Sequence, residues 1–265
     1  MLLIFSRLCC VKNLSQQTIM FIIFRVLLTL IHLLYGSFLW GRRQWREWKL
    51  WCDELWHGKD SRLEAEVLIS SIKGVGNLPK HLAVILGHEA VSFLDLVRIV
   101  SWCVIAGIPY VSFYDHNGFL RKSEEVLETK LAALKPELNE HIAVRSHKNG
   151  INGTKHKTKV QLLSYEDGKG KIVSLAQNLA KAVTNGALQS NEINIALLDE
   201  KLHSKGIPDP DLAFICGDTF STYGFLPWQI RITEFFLIPS HHNLPVTDFV
   251  RLLKKYSKCE QRYGK

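Results

Sequence analysis

The chain has 265 residues, of which 47% are hydrophobic and 22% are charged. This composition is ordinary for a folded protein and excludes a chain that is disordered throughout. The formal net charge of +8 is compatible with nucleic acid, anionic lipid headgroups or diphosphate ligands, and also with a merely solvated basic surface. Because the chain has no zinc-knuckle spacing and no aromatic ribonucleoprotein motif, we predict no nucleic-acid partner.

The cysteines and histidines do not show the spacing of a metal site. None of the six cysteines forms a Cys-x-x-Cys pair, which argues against a zinc site and favours a reducing compartment. Cys103 and Cys216 lie in apolar runs and are predicted to be small core residues. The adjacent pair His241 and His242 is predicted to lie in a surface loop. The sequence therefore predicts no metal held by this chain.

Residues 19–40 form a predominantly apolar run near the start of the chain. At ~1.5 Å per residue, a helix of this length crosses the ~30 Å hydrocarbon core of a bilayer. Arg25 interrupts the run near one end, where its side chain can reach the interface. A cleaved signal peptide and a buried core helix are the alternatives. The signal peptide is disfavoured because residues 1–18 lack a strongly basic start and no small-x-small cleavage site follows. We predict a transmembrane helix.

Basic and aromatic residues follow this run. Four cations follow the run, namely Arg42, Arg43, Arg46 and Lys49, whereas only Arg7 and Lys12 precede it. This excess predicts that the remainder of the chain faces the cytosol. An aromatic and apolar stripe at helical spacing consists of Trp45, Trp48, Cys52, Leu55 and Trp56. It predicts a helix that lies in the headgroup region of the membrane, although a stripe that packs against another part of the protein has the same spacing. We assign 41–77 to a juxtamembrane segment that ends in a polar connector over 57–77, and 78–265 to one domain.

The domain alternates predicted strands and helices. The predicted strands are His81–Leu86, Tyr110–Asp115, Val160–Ser164 and Asp211–Cys216. The predicted helices begin at Ser92, Ser123, Asp167, near Ile195 and at Thr247, and residues 139–157 are predicted to be a flexible loop. This alternation predicts an α/β fold with a mostly parallel sheet and helices on its faces.

Few residues in the domain are candidates for catalysis. Asp115 follows a predicted strand, where α/β folds place ligands, and could act as a general base. Its neighbours His116, Asn117 and Gly118 are equally typical of a turn, and we favour the turn. The chain has no Walker loop, no Gly-x-Gly-x-x-Gly and no Gly-x-Ser-x-Gly motif, so nucleotide binding and esterase chemistry lack support.

Six blocks between Leu78 and the last residue resemble one family in the same order. They are Leu78–Val84, Tyr114–His116 with Gly118, Pro208–Leu212, Gly224–Arg231, Pro239–His241 and Cys259–Lys265. The chain is similar to the cis-prenyltransferases, and in particular to the Nogo-B receptor family, the non-catalytic subunits of dehydrodolichyl diphosphate synthase. The resemblance implies the undecaprenyl diphosphate synthase-like fold, with a mostly parallel sheet and flanking helices.

The chain departs from the catalytic members at three positions. In those members an aspartate follows the first strand and holds Mg²⁺, and two arginines grip the diphosphate of isopentenyl diphosphate. Gly87 stands in place of the aspartate, and Ile215 and Phe220 stand about where the arginines are expected. Neither side chain donates a hydrogen bond, and burying an unpaired diphosphate costs several kcal/mol. The resemblance therefore implies a subunit that is inactive alone.

Arg262 and Gly264 match the Arg-x-Gly found near the C-terminus of this family. In the family this tail crosses the dimer interface and contacts isopentenyl diphosphate in the neighbouring active site. The resemblance also places the region of Phe225, Trp228 and Phe235 at the subunit interface, and it implies that Mg²⁺ is held by the catalytic partner. Taken without the family, Arg-x-Gly at a chain end is a weak signal, and a frayed basic tail is the simpler interpretation.

These expectations together describe an accessory subunit in the endoplasmic reticulum membrane. It would pair with a catalytic subunit for the cis-condensation of isopentenyl diphosphate in dolichol synthesis and protein glycosylation. One alternative is a membrane-anchored receptor or scaffold that binds protein or lipid partners without a role in catalysis. A second alternative is a self-sufficient homodimeric enzyme with a rearranged site.

Overall fold

The computed structural model describes residues 19–42, 44, 45, 48, 61–145, 158–203 and 206–259. The chain divides into two compact units, residues 1–59 and residues 60–265.

The described part of the first unit is a single apolar helix, α1. It spans Ile19–Arg42, and its 24 residues are long and apolar enough to cross a membrane. Trp45 and Trp48 also have helical backbone, and their ring centroids are 5.4 Å apart, as the predicted aromatic stripe requires. The other members of that stripe, Cys52, Leu55 and Trp56, lie outside the described residues.

The second unit is built on a six-stranded sheet in which every neighbouring pair is parallel. The strands are β1 His81–Ile85, β2 Tyr110–Tyr114, β3 Ile142–Arg145, β4 Thr158–Leu163, β5 Leu212–Cys216 and β6 Glu234–Ile238, in the order β3-β4-β2-β1-β5-β6. The helices are α2 Ser61–Ile72, α3 Phe93–Ala106, α4 Phe119–Lys122, α5 Glu124–Leu134, α6 Lys169–Thr184, α7 Ile195–Leu202 and α8 Val246–Tyr256, with 3₁₀ turns at Pro136–His141 and Ser190–Glu192. The predicted α/β class is confirmed.

The central strand β1 separates two cores, because successive side chains of a strand point to opposite faces. Leu82 and Val84 belong to the larger core, to which α3 and α8 contribute. Ala83 and Ile85 belong to a smaller core on the other face. All five residues of β1 are buried, which is why the strand reads as a continuous apolar run.

The ends of α3 show how local sequence positions the strands. The Ser92 hydroxyl caps the helix by accepting a hydrogen bond from the Asp95 amide at 3.4 Å. Gly107 ends the helix with φ of +74°, a conformation that costs glycine little. The predicted start and end of this helix are confirmed, and the chain re-enters the sheet at β2.

Four predictions about elements are wrong. The connector over 57–77 contains α2, whose Leu68 is fully buried, so α2 is part of the globular unit. The loop over 139–157 contains the edge strand β3, and its remainder, 146–157, lies outside the described residues. The last helix begins at Val246 after Pro245 rather than with a Thr247 cap, and α6 begins at Lys169 rather than Asp167.

His81 anchors the start of β1 to two neighbours. Its Nδ1 donates to the Pro208 carbonyl and its Nε2 accepts from the Ser112 hydroxyl, each at 2.7 Å. Burial lowers the pKa of His81 to about 4, although the Pro208 hydrogen bond and the charge of Asp211 oppose the shift. The imidazole is therefore neutral at pH 7.

This pKa predicts an acid-sensitive fold. Between pH 6.5 and 4 the unfolded chain binds a proton at His81 that the folded chain does not, so the free energy of unfolding rises with pH across this window. The contribution of neutral His81 to the free energy of unfolding amounts to about 3 kcal/mol. This contribution is complete above pH 6.5 and is lost as the pH falls towards 4. Chemical unfolding of the full chain in detergent at pH 4 to 7 measures it. The variant His81→Asn should show a shallower pH dependence, and an unchanged slope would contradict the prediction.

Candidate functional site

The candidate site lies where the parallel strands end. Ligands of α/β proteins bind at the carboxyl edge of the sheet, and the loops after β1, β2, β4 and β5 meet there. Ile85 of β1 pairs with Ile215 of β5, so Gly87 follows β1 beside the end of its neighbour. The structure therefore brings the predicted positions Gly87 and Ile215 to adjacent strands.

Gly87 occupies a position that disfavours a side chain. Its φ of +64° lies in the left-handed region. A Cβ at this residue would lie 3.1 Å from the Cys216 carbonyl oxygen and 3.1 Å from Cε2 of Tyr223. An aspartate here would be strained by the backbone, and the tyrosine ring would have to shift by a few tenths of an ångström to admit it.

A short segment, Ser221–Leu226, closes the site, and we call it the Tyr223 loop. The Tyr223 carbonyl accepts hydrogen bonds from the Tyr114 hydroxyl at 2.7 Å and from His116 Nδ1 at 3.0 Å. The Tyr223 ring meets the His88 ring edge-on, with centroids 5.0 Å apart. Burial, reinforced by nearby Asp115, raises the pKa of Tyr114 to about 12, so this hydroxyl remains a donor. These contacts fix the loop over the carboxyl end of β1.

The Tyr223 loop adopts unfavourable backbone conformations that its neighbours stabilise. Tyr223, Gly224 and Leu226 have φ values of +51°, +82° and +27°, and such values are costly for non-glycine residues. The Gly224 carbonyl accepts a hydrogen bond from the Lys169 amide at 2.9 Å. Gly168 permits this approach, because a Cβ there would lie 2.1 Å from the Gly224 oxygen. The loop after β4 thus secures the loop before β6.

Ile215 and Phe220 do not form an anion clamp. The Ile215 side chain is fully buried in the smaller core. Phe220 is 60% exposed, and its ring packs edge-on against that of Phe235 with centroids 6.0 Å apart. One side chain serves the core and the other lies at the surface, so neither position presents a hydrogen-bond donor to a diphosphate.

Asp115 has a structural role. Its carboxylate accepts hydrogen bonds from the backbone amides of Asn117, Phe119 and Leu120, and its side chain is buried. These contacts organise the turn that begins α4, as expected of an aspartate in a turn. The turn interpretation of Asp115 is confirmed, and the general-base alternative loses its support because the carboxylate is engaged with the backbone.

Within the described residues, one buried cluster has potential metal ligands: Glu89, Cys216 and His241. His241 is fully buried, so the prediction of a surface position for it is wrong. Its Nδ1 donates to Glu89 at 2.8 Å, and its Nε2 accepts from the Ser92 amide at 3.1 Å. Burial, and then the charge of Glu89, raise the pKa of the Cys216 thiol, which is therefore protonated at pH 7.

This cluster does not suit Mg²⁺. Magnesium prefers an octahedral set of oxygen ligands, whereas Glu89 is the only carboxylate here. The Glu89 carboxylate also accepts hydrogen bonds from the Ser240 hydroxyl at 3.0 Å and the His241 amide at 3.2 Å. The cluster joins the loop after β1 to the loop after β6. In the sequence, His241 and His242 are adjacent and not spaced as metal ligands, so this cluster has no local sequence signal.

The three predicted interface residues occupy different environments. Phe225 is fully buried in the smaller core, so it offers no surface to a partner, and its assignment as a direct interface contact is corrected. Trp228 is half-buried, and its indole N–H donates to Asp199. Phe235 is half-buried on the edge strand β6 beside Phe220. Arg262 and Gly264 lie outside the described residues, which end at Cys259 on the C-terminal side of α8.

Comparisons with known proteins agree with this fold. Residues 127–264 match the family model described as putative undecaprenyl diphosphate synthase. The crystal structure of lavandulyl diphosphate synthase from Lavandula x intermedia, in complex with dimethylallyl diphosphate, superimposes with a TM-score of 0.54 at 20% identity. The match covers 71% of this chain and 99% of that chain. The second unit therefore has the prenyltransferase fold that the sequence predicts.

Two relatives carry the name of one complex. The mouse dehydrodolichyl diphosphate synthase complex subunit Nus1 is 35% identical over 205 residues, which are 74% of this chain and 69% of the mouse protein. The subunit nus1 of Schizosaccharomyces pombe is 28% identical over 261 residues, which are 92% of this chain and 98% of that protein. The chain therefore belongs to the NUS1 family of dehydrodolichyl diphosphate synthase complex subunits.

Proposed function

We propose that this chain is the non-catalytic subunit of a dehydrodolichyl diphosphate synthase complex. The observation that carries the proposal is the closed carboxyl end of β1. Gly87 provides no carboxylate, and the Tyr223 ring crowds the position at 3.1 Å from where a Cβ would lie. Because Ile215 is also buried in the core, the described residues at this edge offer neither a carboxylate after β1 nor a hydrogen-bond donor at position 215.

In this proposal the partner subunit carries out the condensation reaction. The catalytic subunit holds Mg²⁺ and the allylic diphosphate, and this chain contributes Arg262 and Gly264 to isopentenyl diphosphate in trans. A guanidinium group binds phosphate oxygens through two parallel hydrogen bonds, and glycine lets the backbone approach them closely. Held in this way, isopentenyl diphosphate is oriented for condensation with cis geometry onto the growing chain.

The surface of the second unit supports association with a partner. In the hairpin formed by α6 and α7, residues 171–201 are all described and none is buried. Apolar side chains are exposed on this hairpin, where Val173 is 44% and Ile195 is 72% exposed. A helix of an isolated globular domain normally buries an apolar face, so this hairpin needs a partner surface. Leu237 and Phe220 add exposed apolar area near the edge strand β6.

We further propose that α1 anchors the complex in the endoplasmic reticulum membrane as a single span. The length and composition of α1 support a span. The excess of Lys and Arg after α1 supports an orientation with the second unit in the cytosol, where the diphosphate substrate is proposed to reach it.

Reconstitution tests the proposed function. The full chain, a catalytic dehydrodolichyl diphosphate synthase subunit and the two together are purified in detergent and supplied with an allylic diphosphate, labelled isopentenyl diphosphate and Mg²⁺. We expect no incorporation by this chain alone, and at least about tenfold more by the pair than by the catalytic subunit alone, since a positioned anion clamp stabilises charge at the reacting substrate. Incorporation by the single chain would overturn the proposal. A stable pair with no gain in rate would favour the scaffold alternative.

A further inference from the structure

A groove lies between α2 and α8 on the surface of the second unit. Its volume is about 600 Å³, and Val67 and Ser71 of α2 line it together with Thr247 and with basic residues of α8 and of the turn that follows α8. We call it the basic groove. Its lining residues include four cations and no acidic residue, namely Arg251, Lys254, Lys255 and Lys258.

Among the described residues, the cations of the basic groove are only partly compensated by other side chains. Arg251 pairs with Asp248 at 3.2 Å, yet its side chain is 74% exposed and the pair is therefore weak. Lys255 lies over the Phe236 ring with its Nζ 4.5 Å from the centroid. Lys254 lies in the last turn of α8, and Lys258 follows two residues after the helix ends at Tyr256, so two like charges that repel each other line the same groove. A bound anion would relieve this repulsion.

The floor of the groove suits a ligand that is both anionic and partly apolar. Val250 is buried beneath it and Val67 is half-buried at its side, so the groove offers apolar contact. The hydroxyls of Ser71 and Thr247 supply neutral donors beside the cations. A phosphodiester headgroup joined to glycerol has this combination of charge and apolar surface.

We propose that the basic groove binds the phosphate headgroup of an anionic membrane lipid. The proposal goes beyond the subunit's role in catalysis and rests on the proposed membrane anchoring by α1. Along the chain, α2 is the first described helix after α1, and residues 43–60 connect them. Such a tether keeps the second unit at a high effective concentration of headgroups. Each basic residue near an anionic surface strengthens binding about fivefold.

The full chain in lipid nanodiscs tests this inference by amide hydrogen exchange. One set of nanodiscs contains phosphatidylcholine alone, and the other contains phosphatidylserine as well. We expect exchange in α2 and α8 to slow by about fivefold or more with phosphatidylserine, because a ligand that binds the folded state suppresses local opening. The double variant Lys254→Glu/Lys258→Glu should lose this protection.

The matched control, Lys122→Glu/Lys130→Glu, makes the same change of charge at exposed residues of α4 and α5 and should keep the protection. Inorganic diphosphate added to phosphatidylcholine nanodiscs distinguishes a soluble ligand from a lipid. Equal protection by diphosphate, or no protection by phosphatidylserine, would overturn the proposal. Incorporation of isopentenyl diphosphate by the complex is measured in parallel, and normal turnover without lipid protection would reject the groove alone and leave the proposed function standing.

Discussion

Replacing Arg262 with alanine is expected to lower isopentenyl diphosphate incorporation by the reconstituted complex at least about tenfold, and up to about a hundredfold. The estimate corresponds to the loss of a charge-assisted, two-pronged contact with a diphosphate, worth about 1.5–3 kcal/mol. The loss should appear chiefly as a raised KM for isopentenyl diphosphate, since the contact is proposed to hold that substrate. Steady-state kinetics of the purified complex measures the change.

Two further variants make this result specific. Arg262→Lys keeps the charge but not the planar fork, so we expect an intermediate rate. Lys265→Ala removes one positive charge from the same tail and should leave the rate within about twofold, because no contact with the diphosphate is proposed for Lys265. Co-purification of both subunits in each variant shows that assembly is intact. If Arg262→Ala turned over at the wild-type rate in an intact complex, the in-trans role would be wrong.

Gly168→Ala is expected to cause the largest loss of stability among substitutions of the second-unit glycines that the structure describes. The new methyl group would overlap the Gly224 carbonyl oxygen, which the Lys169 amide holds in place. The Tyr223 loop has little freedom to move, because Tyr114 and His116 hold its backbone. Overpacking of this kind lowers the free energy of unfolding by about 3 kcal/mol.

Thermal unfolding of the full chain in detergent measures this effect. A loss of about 3 kcal/mol lowers Tm by about 6–12 °C in a domain of this size. Gly76→Ala is the matched control, since a Cβ at Gly76 meets no atom within 4 Å, and its Tm should stay within about 2 °C of wild type. An unchanged Tm in Gly168→Ala would show that the Tyr223 loop is not secured by this contact.

The parts of the fold that were predicted from sequence carry local signals that agree with their packing. β1 is a continuous apolar run because both of its faces are buried. α3 has a capping serine and a terminating glycine, and both act as expected. The role of Asp115 also followed from its neighbours, because an Asp with Asn and Gly after it satisfies turn amides locally.

The missed elements depend on contacts that local sequence does not show. β3 has four residues at the edge of the sheet, and it is stabilised by its pairing with β4. β6 lies in a longer apolar stretch, where a short apolar run does not distinguish strand from helix. α2 buries Leu68 but exposes Leu63 and Ile69, so its packing on α3 and α8 was not apparent from the sequence.

The sequence predicts correctly that residue 87 provides no carboxylate, but it does not predict that the Tyr223 ring lies against this position. The absence of an aspartate is visible in the sequence. The contact of Gly87 with Tyr223 joins residues that are 136 positions apart, and the approach of Gly168 to Gly224 joins two further loops. Such long-range contacts have no local signature. The burial of Phe225 was missed for the same reason, since an apolar residue looks alike in a core and at an interface.

The Tyr223 loop has a consequence for how this subunit can change over time. A carboxylate restored at residue 87 would meet a left-handed backbone and an occupying ring, so it would weaken the fold before it could add any activity. Such a substitution would not by itself supply anion-binding side chains, since Ile215 is buried in the core and Phe220 is an exposed apolar residue. Residue 87 is therefore a position where a single change costs stability without completing a binding site.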